Sequence, residues 1–209
     1  MDKEARSTIL IASRNRGKVV EFKEILGFPE VEFLDLNQVS FSGIIEEVGL
    51  TFEENALIKG EAIYREYHIP VLADDSGLVV SSLRGLPGIY SARFAGEGAG
   101  DDENIKLLLD KMKGYTDELR EAWFYCAAVF YYAPERYFLA TGTVYGKITE
   151  EPSGDRGFGY DPVFYLPDYE KTMAQLQPEE KNRISHRARA LGKLRDLIVK
   201  HLHTGCSSS

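Results

Sequence analysis

The chain has 209 residues, 44% hydrophobic and 28% charged, an ordinary globular composition at a length that fits one large domain with a sizeable core. Its formal net charge of −8 argues against broad binding to nucleic acid or anionic membranes, yet leaves room for a basic pocket that takes a small phosphorylated ligand. The two cysteines, Cys126 in an apolar run and Cys206 near the end, exclude a disulfide framework and a cysteine zinc site.

The chain opens on a polar stretch, and the apolar run Ile9 to Ala12 is too short for a signal peptide or a membrane span. A soluble, cytoplasmic protein is the expectation. Ser7 to Ala12 reads as a strand, followed by the polar hexapeptide Ser13-Arg14-Asn15-Arg16-Gly17-Lys18. Val19, Phe22, Ile25 and Leu26 then recur at helical spacing until Gly27 and Pro29, and Val31 to Leu36 gives a second strand. The start is therefore βαβ-like, with the hexapeptide at a strand-to-helix turn.

Ser40 to Gly49 reads as an acidic loop containing Glu46 and Glu47. Thr51 with Glu54 has capping-box spacing and predicts a helix through Ala56, Ala62, Ile63 and Tyr67. Gly60 inside that helix costs about 1 kcal/mol relative to alanine. Pro70 to Ala73 reads as a strand, Asp74-Asp75-Ser76-Gly77 as a turn by composition, and Leu78 to Val80 as another strand.

A glycine-rich loop spans Arg84 to Gly100, after which Asp101 or Asp102 caps a helix through Ile105, Leu108, Leu109 and Met112. Trp123 to Tyr132 and Tyr137 to Val144 read as a long hairpin around Pro134. A second glycine-rich loop covers Glu150 to Pro162, and a last helix starts at Ser185. Residues 1–203 form a single domain on this reading, with 204–209 a disordered tail. Mixed strands and helices predict an α/β fold with a mixed, partly antiparallel central sheet and flanking helices.

Four segments carry chemistry. The hexapeptide sits where backbone N–H groups and the positive end of a helix dipole favour an anion. Lys18 and Arg14 or Arg16 would add charge, and Ser13 and Asn15 neutral hydrogen bonds. A cap followed by solvated basic residues is the plainer alternative. The acids Asp74 and Asp75 end an apolar strand, where burial demands a positive partner. A magnesium ion, which takes one or two carboxylates plus substrate phosphates, meets that demand; a turn whose acids bond local backbone is the plainer alternative.

The segment Gly157-Phe158-Gly159-Tyr160-Asp161-Pro162 brings backbone and a ring close to a ligand, with a tight turn around a core aromatic as its alternative. Finally, Lys181-Asn182-Arg183-Ile184-Ser185-His186-Arg187 places donors at a predicted helix start, where cations are unfavourable without an anion or keto oxygen to meet.

Together with Gly49-Leu50-Thr51-Phe52-Glu53-Glu54-Asn55-Ala56 and Leu86-Pro87-Gly88-Ile89-Tyr90-Ser91-Ala92-Arg93, these segments occur in an order that resembles the inosine triphosphate pyrophosphatase (Ham1-like) family over about residues 8 to 200. The resemblance implies a magnesium-dependent hydrolase that cleaves non-standard purine nucleoside triphosphates, such as ITP, dITP and XTP, to monophosphate and pyrophosphate. It implies an elongated two-lobed homodimer with an active-site cleft between the lobes, and no nucleic-acid or membrane partner. Carried over by position, Ser13, Arg14, Asn15, Arg16, Gly17 and Lys18 contact substrate. Glu46 and Asp75 are the magnesium carboxylates, with Glu47 the alternative to Glu46. Asp75 is also the general base, and Ser76 touches substrate. Phe158, Gly159, Tyr160, Asp161, Lys181, His186 and Arg187 hold the nucleoside. The competing readings are a Maf-like pyrophosphatase acting on pyrimidine or modified nucleotides, a nucleotide-binding module without hydrolysis, and an interaction protein using the hairpin Trp123 to Phe138.

Overall fold

The computed structural model describes the backbone of residues 7–205 and the side chains of residues 7–201. Of the expected disordered tail 204–209, residues 204 and 205 end the last helix, and the rest, with Cys206, lies outside the described residues. The sheet has seven strands: β1 (Ser7–Ile11), β2 (Val31–Asp35), β3 (Val71–Val80), β4 (Glu121–Ala133), β5 (Arg136–Ile148), β6 (Phe164–Leu166) and β7 (Lys171–Thr172). Their order is β2-β1-β3-β4-β5-β6-β7. β1 runs parallel to β2 and β3, whereas β6 is antiparallel to β5 and β7. The sheet is mixed, as the sequence predicted.

The chain divides into two compact units. The first holds residues up to Asp75, Ala127–Thr141 and those from Arg189 onward; the second holds Ser76–Cys126 and Gly142–Ala188.

In the first unit, helix α1 (Arg16–Leu26) joins β1 to β2, and α2 (Phe52–Tyr67) lies between β2 and β3; parallel neighbours need such crossovers. The Asn15 side chain caps α1 by accepting from Lys18 N–H, and Gly27 ends it in the left-handed conformation. Thr51 caps α2 through Glu54 N–H, while the Glu54 carboxylate accepts from Leu50 N–H at 2.6 Å. The capping box therefore forms, reaching one residue further back than usual. At Gly60 α2 faces the sheet, and a Cβ there would make ordinary contacts, 3.4 Å from Tyr131 Cβ and 3.7 Å from Ala73 Cβ. The last helix buries Leu191, Leu194 and Ile198.

In the second unit, Leu78 and Val80 of β3 join Phe124 of β4, Val144 and Ile148 of β5, and Phe164 and Leu166 of β6 in one apolar core. Helix α3 (Asp101–Lys111) adds Ile105 and Leu108.

Four local expectations change. The turn at Asp74–Gly77 does not form, and β3 runs unbroken from Val71 to Val80. Gly100, rather than Asp101 or Asp102, stands at the cap of α3, its N–H held by Glu103 at 2.9 Å. The last helix begins at Ser185 as expected, with that residue as its cap, but the residues just before it belong to another helix. A short helix, α4 (Pro178–Ile184), ends there, and α5 (His186–Gly205) follows, with Ala188 N–H donating to Ser185 Oγ at 3.1 Å. Lys181 and Arg183 thus sit in the last turn of α4, where the dipole favours cations. The two glycine-rich loops also contain short 3-10 turns, Gly88–Arg93 and Asp161–Val163.

Candidate active site

The first unit assembles acids and amines around β3. Asp74 and Asp75 are both buried, and β3 itself contains no cation to meet them. Their partners come from elsewhere in the chain. Lys18, one turn into α1, places Nζ 3.1 and 3.0 Å from the two Asp74 carboxylate oxygens. Lys59 of α2 places Nζ 3.4 Å from Asp75 Oδ1 and 3.1 Å from Glu47 Oε1. Asn55, one helical turn earlier, donates from Nδ2 to Asp75 Oδ2 at 3.1 Å.

The electrostatics follow from this arrangement. Burial raises the proton affinity of Asp75, and neighbouring Glu47 adds to the rise; Lys59, Lys18 and the Asn55 hydrogen bond pull the other way without cancelling it. For Lys59, burial favours the neutral amine, but Asp75, Glu47 and Asp74 outweigh it and hold the ammonium above its usual range. Three carboxylates thus gather around two ammonium groups.

Converging buried acids suit a magnesium ion. Among the described residues no group of three His, Cys, Asp or Glu is arranged to hold a metal. Magnesium, however, binds through one or two carboxylates with water and substrate phosphates. Asp75 and Glu47 converge on one cationic nitrogen, and hard oxygen donors so placed suit that ion. Of the paired acids in the loop, Glu47 reaches this cluster, whereas Glu46 is exposed.

The hexapeptide divides. Lys18 enters the cluster and Asn15 is spent on the cap. Arg14 donates to the carbonyls of Phe41 and Gly43 at 2.6 and 3.1 Å and lies over the Phe41 ring, so it holds the loop ahead of Glu47. Arg16 is exposed, and Ser13 and Gly17 are half-buried.

The second unit assembles the remaining predicted residues. Asp161 Oδ2 accepts from Lys181 Nζ at 2.6 Å and from Phe158 N–H at 3.0 Å. Gly157 must lack a side chain, since at φ +79° its Cβ would fall 2.0 Å from that oxygen. Gly159 N–H donates to Asp101 at 2.7 Å. Tyr160 is buried and donates to the Ser91 carbonyl at 2.9 Å; burial, then the nearby Asp101 charge, raises its proton affinity, so the hydroxyl stays a donor.

This frame presents the half-buried Phe158 ring to two cations. Lys181 Nζ lies 4.6 Å and Arg187 Cζ 5.5 Å from its centroid. Arg187 is only 2% exposed, and its Nη2 donates to Ser76 Oγ at 2.9 Å. The His186 ring stacks on Phe124, centroids 4.7 Å apart at 15°. A hollow of ≈ 480 Å³ in this unit, lined among others by Trp123, Tyr145 and Lys147, contains none of these residues.

Asn55, Asp101 and Phe124 had no assigned role in the sequence. Asn55 carried a signal all the same: a poor helix former in the first turn of a strongly predicted helix. Asp101 looked like a cap, and Phe124 like any strand aromatic.

Comparison with known proteins gives a consistent result. The model of the Ham1 family matches residues 9–197. A dITP/XTP pyrophosphatase of Bacillus subtilis is 49% identical over 189 residues, covering 90% of this chain and 96% of that protein. The Ham1 protein of Staphylococcus aureus superposes with a TM-score of 0.83 at 43% identity, covering 93% of this chain and 100% of that one. A HAM1 protein from Coxiella burnetii gives 0.84 at 39% identity, with 93% and 99% covered.

Proposed function

The chain belongs to the Ham1 family, and from that premise we propose that it hydrolyses non-standard purine nucleoside triphosphates, including dITP, ITP and XTP, to monophosphate and pyrophosphate. The B. subtilis relative carries the name dITP/XTP pyrophosphatase. The observation that carries the reading is the buried pair Asp74 and Asp75 in mid-strand, ringed by Lys18, Lys59 and Glu47.

Asp75 and Glu47 would hold a magnesium ion. When bound, the ion draws charge from the phosphate oxygens and makes the phosphorus more electrophilic. Asp75, with its raised proton affinity, orients the attacking water and takes its proton as the new bond forms at the α-phosphorus. Lys59 stays an ammonium because of its acidic neighbours, and with Lys18 it meets the charge on the departing pyrophosphate.

The second set of residues selects the base. Phe158 offers a stacking face. Arg187, fixed by Ser76, and His186, fixed by Phe124, donate to the 6-keto oxygen of hypoxanthine or xanthine. Adenine carries a donor at that position and leaves these groups without an acceptor, a mismatch that sites of this kind reject strongly.

Homodimeric assembly and a cytoplasmic setting belong to the same reading, supported by the family resemblance; sedimentation reports the assembly. Among the described residues no helix is long and apolar enough to cross a membrane.

A nucleotide panel with magnesium tests the function. Inosine and xanthosine triphosphates should yield monophosphate and pyrophosphate, with kcat/KM about 10²-fold or more above that for ATP. Equal turnover of ATP, or diphosphate plus phosphate as products, would refute it.

A further inference from the structure

Resting on the magnesium reading above, we propose that Asn55 is a positioning residue for the metal: one buried amide that sets both candidate carboxylates at once. Its side chain is fully buried. Nδ2 donates to Asp75 Oδ2 at 3.1 Å, and Oδ1 accepts from Gly49 N–H at 2.8 Å. Gly49 lies two residues after Glu47, so the same amide grips Asp75 directly and Glu47 through its loop.

The chemistry of the two partners fixes the amide's orientation. A backbone N–H only donates and a carboxylate accepts, so the oxygen faces Gly49 and the nitrogen faces Asp75. An aspartate would lose the donor and a leucine both groups. Gly49 completes the fit: a Cβ there would stand 2.7 Å from Asn55 Oδ1, closing the gap through which the loop backbone reaches the amide. Asparagine is a poor helix former, and this one, buried in α2, makes a hydrogen bond through each end of its amide.

Lys59 takes the other Asp75 oxygen and also touches Glu47. With both bonds of Asn55 in place, the Asp75 carboxylate cannot swing about its terminal torsion, and the loop cannot withdraw Glu47. Groups that orient metal ligands in this manner change metal affinity when removed, typically by 10- to 100-fold.

The full chain serves for the test, in wild-type, Asn55→Ala and Gly49→Ala forms. The second substitution keeps the amide and crowds its link to the loop, the added Cβ also meeting Glu54 Cβ at 2.7 Å and Asn55 N at 3.0 Å. Mn²⁺ binding is measured by electron paramagnetic resonance without nucleotide, and kcat and KM for inosine triphosphate are followed across a magnesium series. The metal dissociation constant should rise about tenfold or more in both variants. At limiting magnesium kcat should fall, recovering as magnesium saturates, while KM for the nucleotide stays within about twofold of wild type. Metal affinity within about twofold of wild type in a folded variant overturns the proposal; if Asn55→Ala does not fold, Gly49→Ala decides it. A wild-type protein that binds no metal removes the magnesium reading, and this one with it. Metal binding by wild type with unchanged variants removes the role of Asn55 alone.

Discussion

Lys18 Nζ meets both carboxylate oxygens of Asp74, at 3.1 and 3.0 Å, across 56 residues of sequence. The pair ties the start of α1 to the middle of β3. Lys18→Met removes both hydrogen bonds and should destabilise the protein by about 3 kcal/mol, the lower end for a buried pair because Lys18 retains some solvent contact. Adding Asp74→Asn should recover more than half of the loss. Urea unfolding of the two single variants and the double variant completes the cycle; a purely additive result would contradict the pairing.

Asp75→Asn should lower kcat about 10²-fold or more without lowering the melting temperature of the metal-free protein. The substitution takes one carboxylate from a cluster that holds three against two ammonium groups. Magnesium should raise the melting temperature of wild type and leave the variant's nearly unchanged. Near-normal turnover in the folded variant removes Asp75 from the role of base.

The same residue sets a pH dependence. Burial raises the folded pKa of Asp75 above 3.8, so the unfolded chain releases this proton first as pH rises. Between 3.8 and the raised value the native state binds more protons, and stability falls with pH. The contribution is therefore present in acid and lost as pH rises through the folded pKa. Metal-free wild type should lose stability relative to Asp75→Asn over that window, as measured by denaturant unfolding at stepped pH. A constant difference would contradict the assignment.

Ser76→Ala removes the acceptor that fixes Arg187 at little volume cost. The ratio of kcat/KM for inosine over adenosine triphosphate should drop about tenfold, with the fold intact. An unchanged ratio in both Ser76→Ala and Arg187→Ala would sink the assignment of Arg187 to the keto oxygen.

Gly60→Ala tests the packing of α2. The added Cβ meets Tyr131, Val129 and Ala73 at 3.4 to 3.7 Å, ordinary contact distances, and alanine is the better helix former. The variant should gain about 0.5–1 kcal/mol in unfolding experiments.

Local signals made β1, α1, β2 and α2 legible, because their periodicity and caps agree with the final fold. They failed at Asp74–Gly77, where composition says turn and the structure says strand. The partners that let those acids be buried lie 56 and 16 residues away, beyond the reach of any window. Helix α4 was hidden for a related reason: α4 and α5 share one continuous polar and basic stretch. Phe158, Asp161, Lys181 and Arg187 were found as residue types in a motif, but their mutual contacts depend on tertiary packing. Of the two acids in the loop, Glu47 reaches Lys59 because of the loop's path, which alternates burial residue by residue.

In the proposed mechanism a water molecule held at Asp75 attacks the α-phosphorus. Hydrolysis of inosine triphosphate in ¹⁸O-labelled water with magnesium, followed by mass spectrometry of the products, tests it most directly. The label should appear in inosine monophosphate, with none in pyrophosphate. Label in pyrophosphate or in free phosphate would contradict the account.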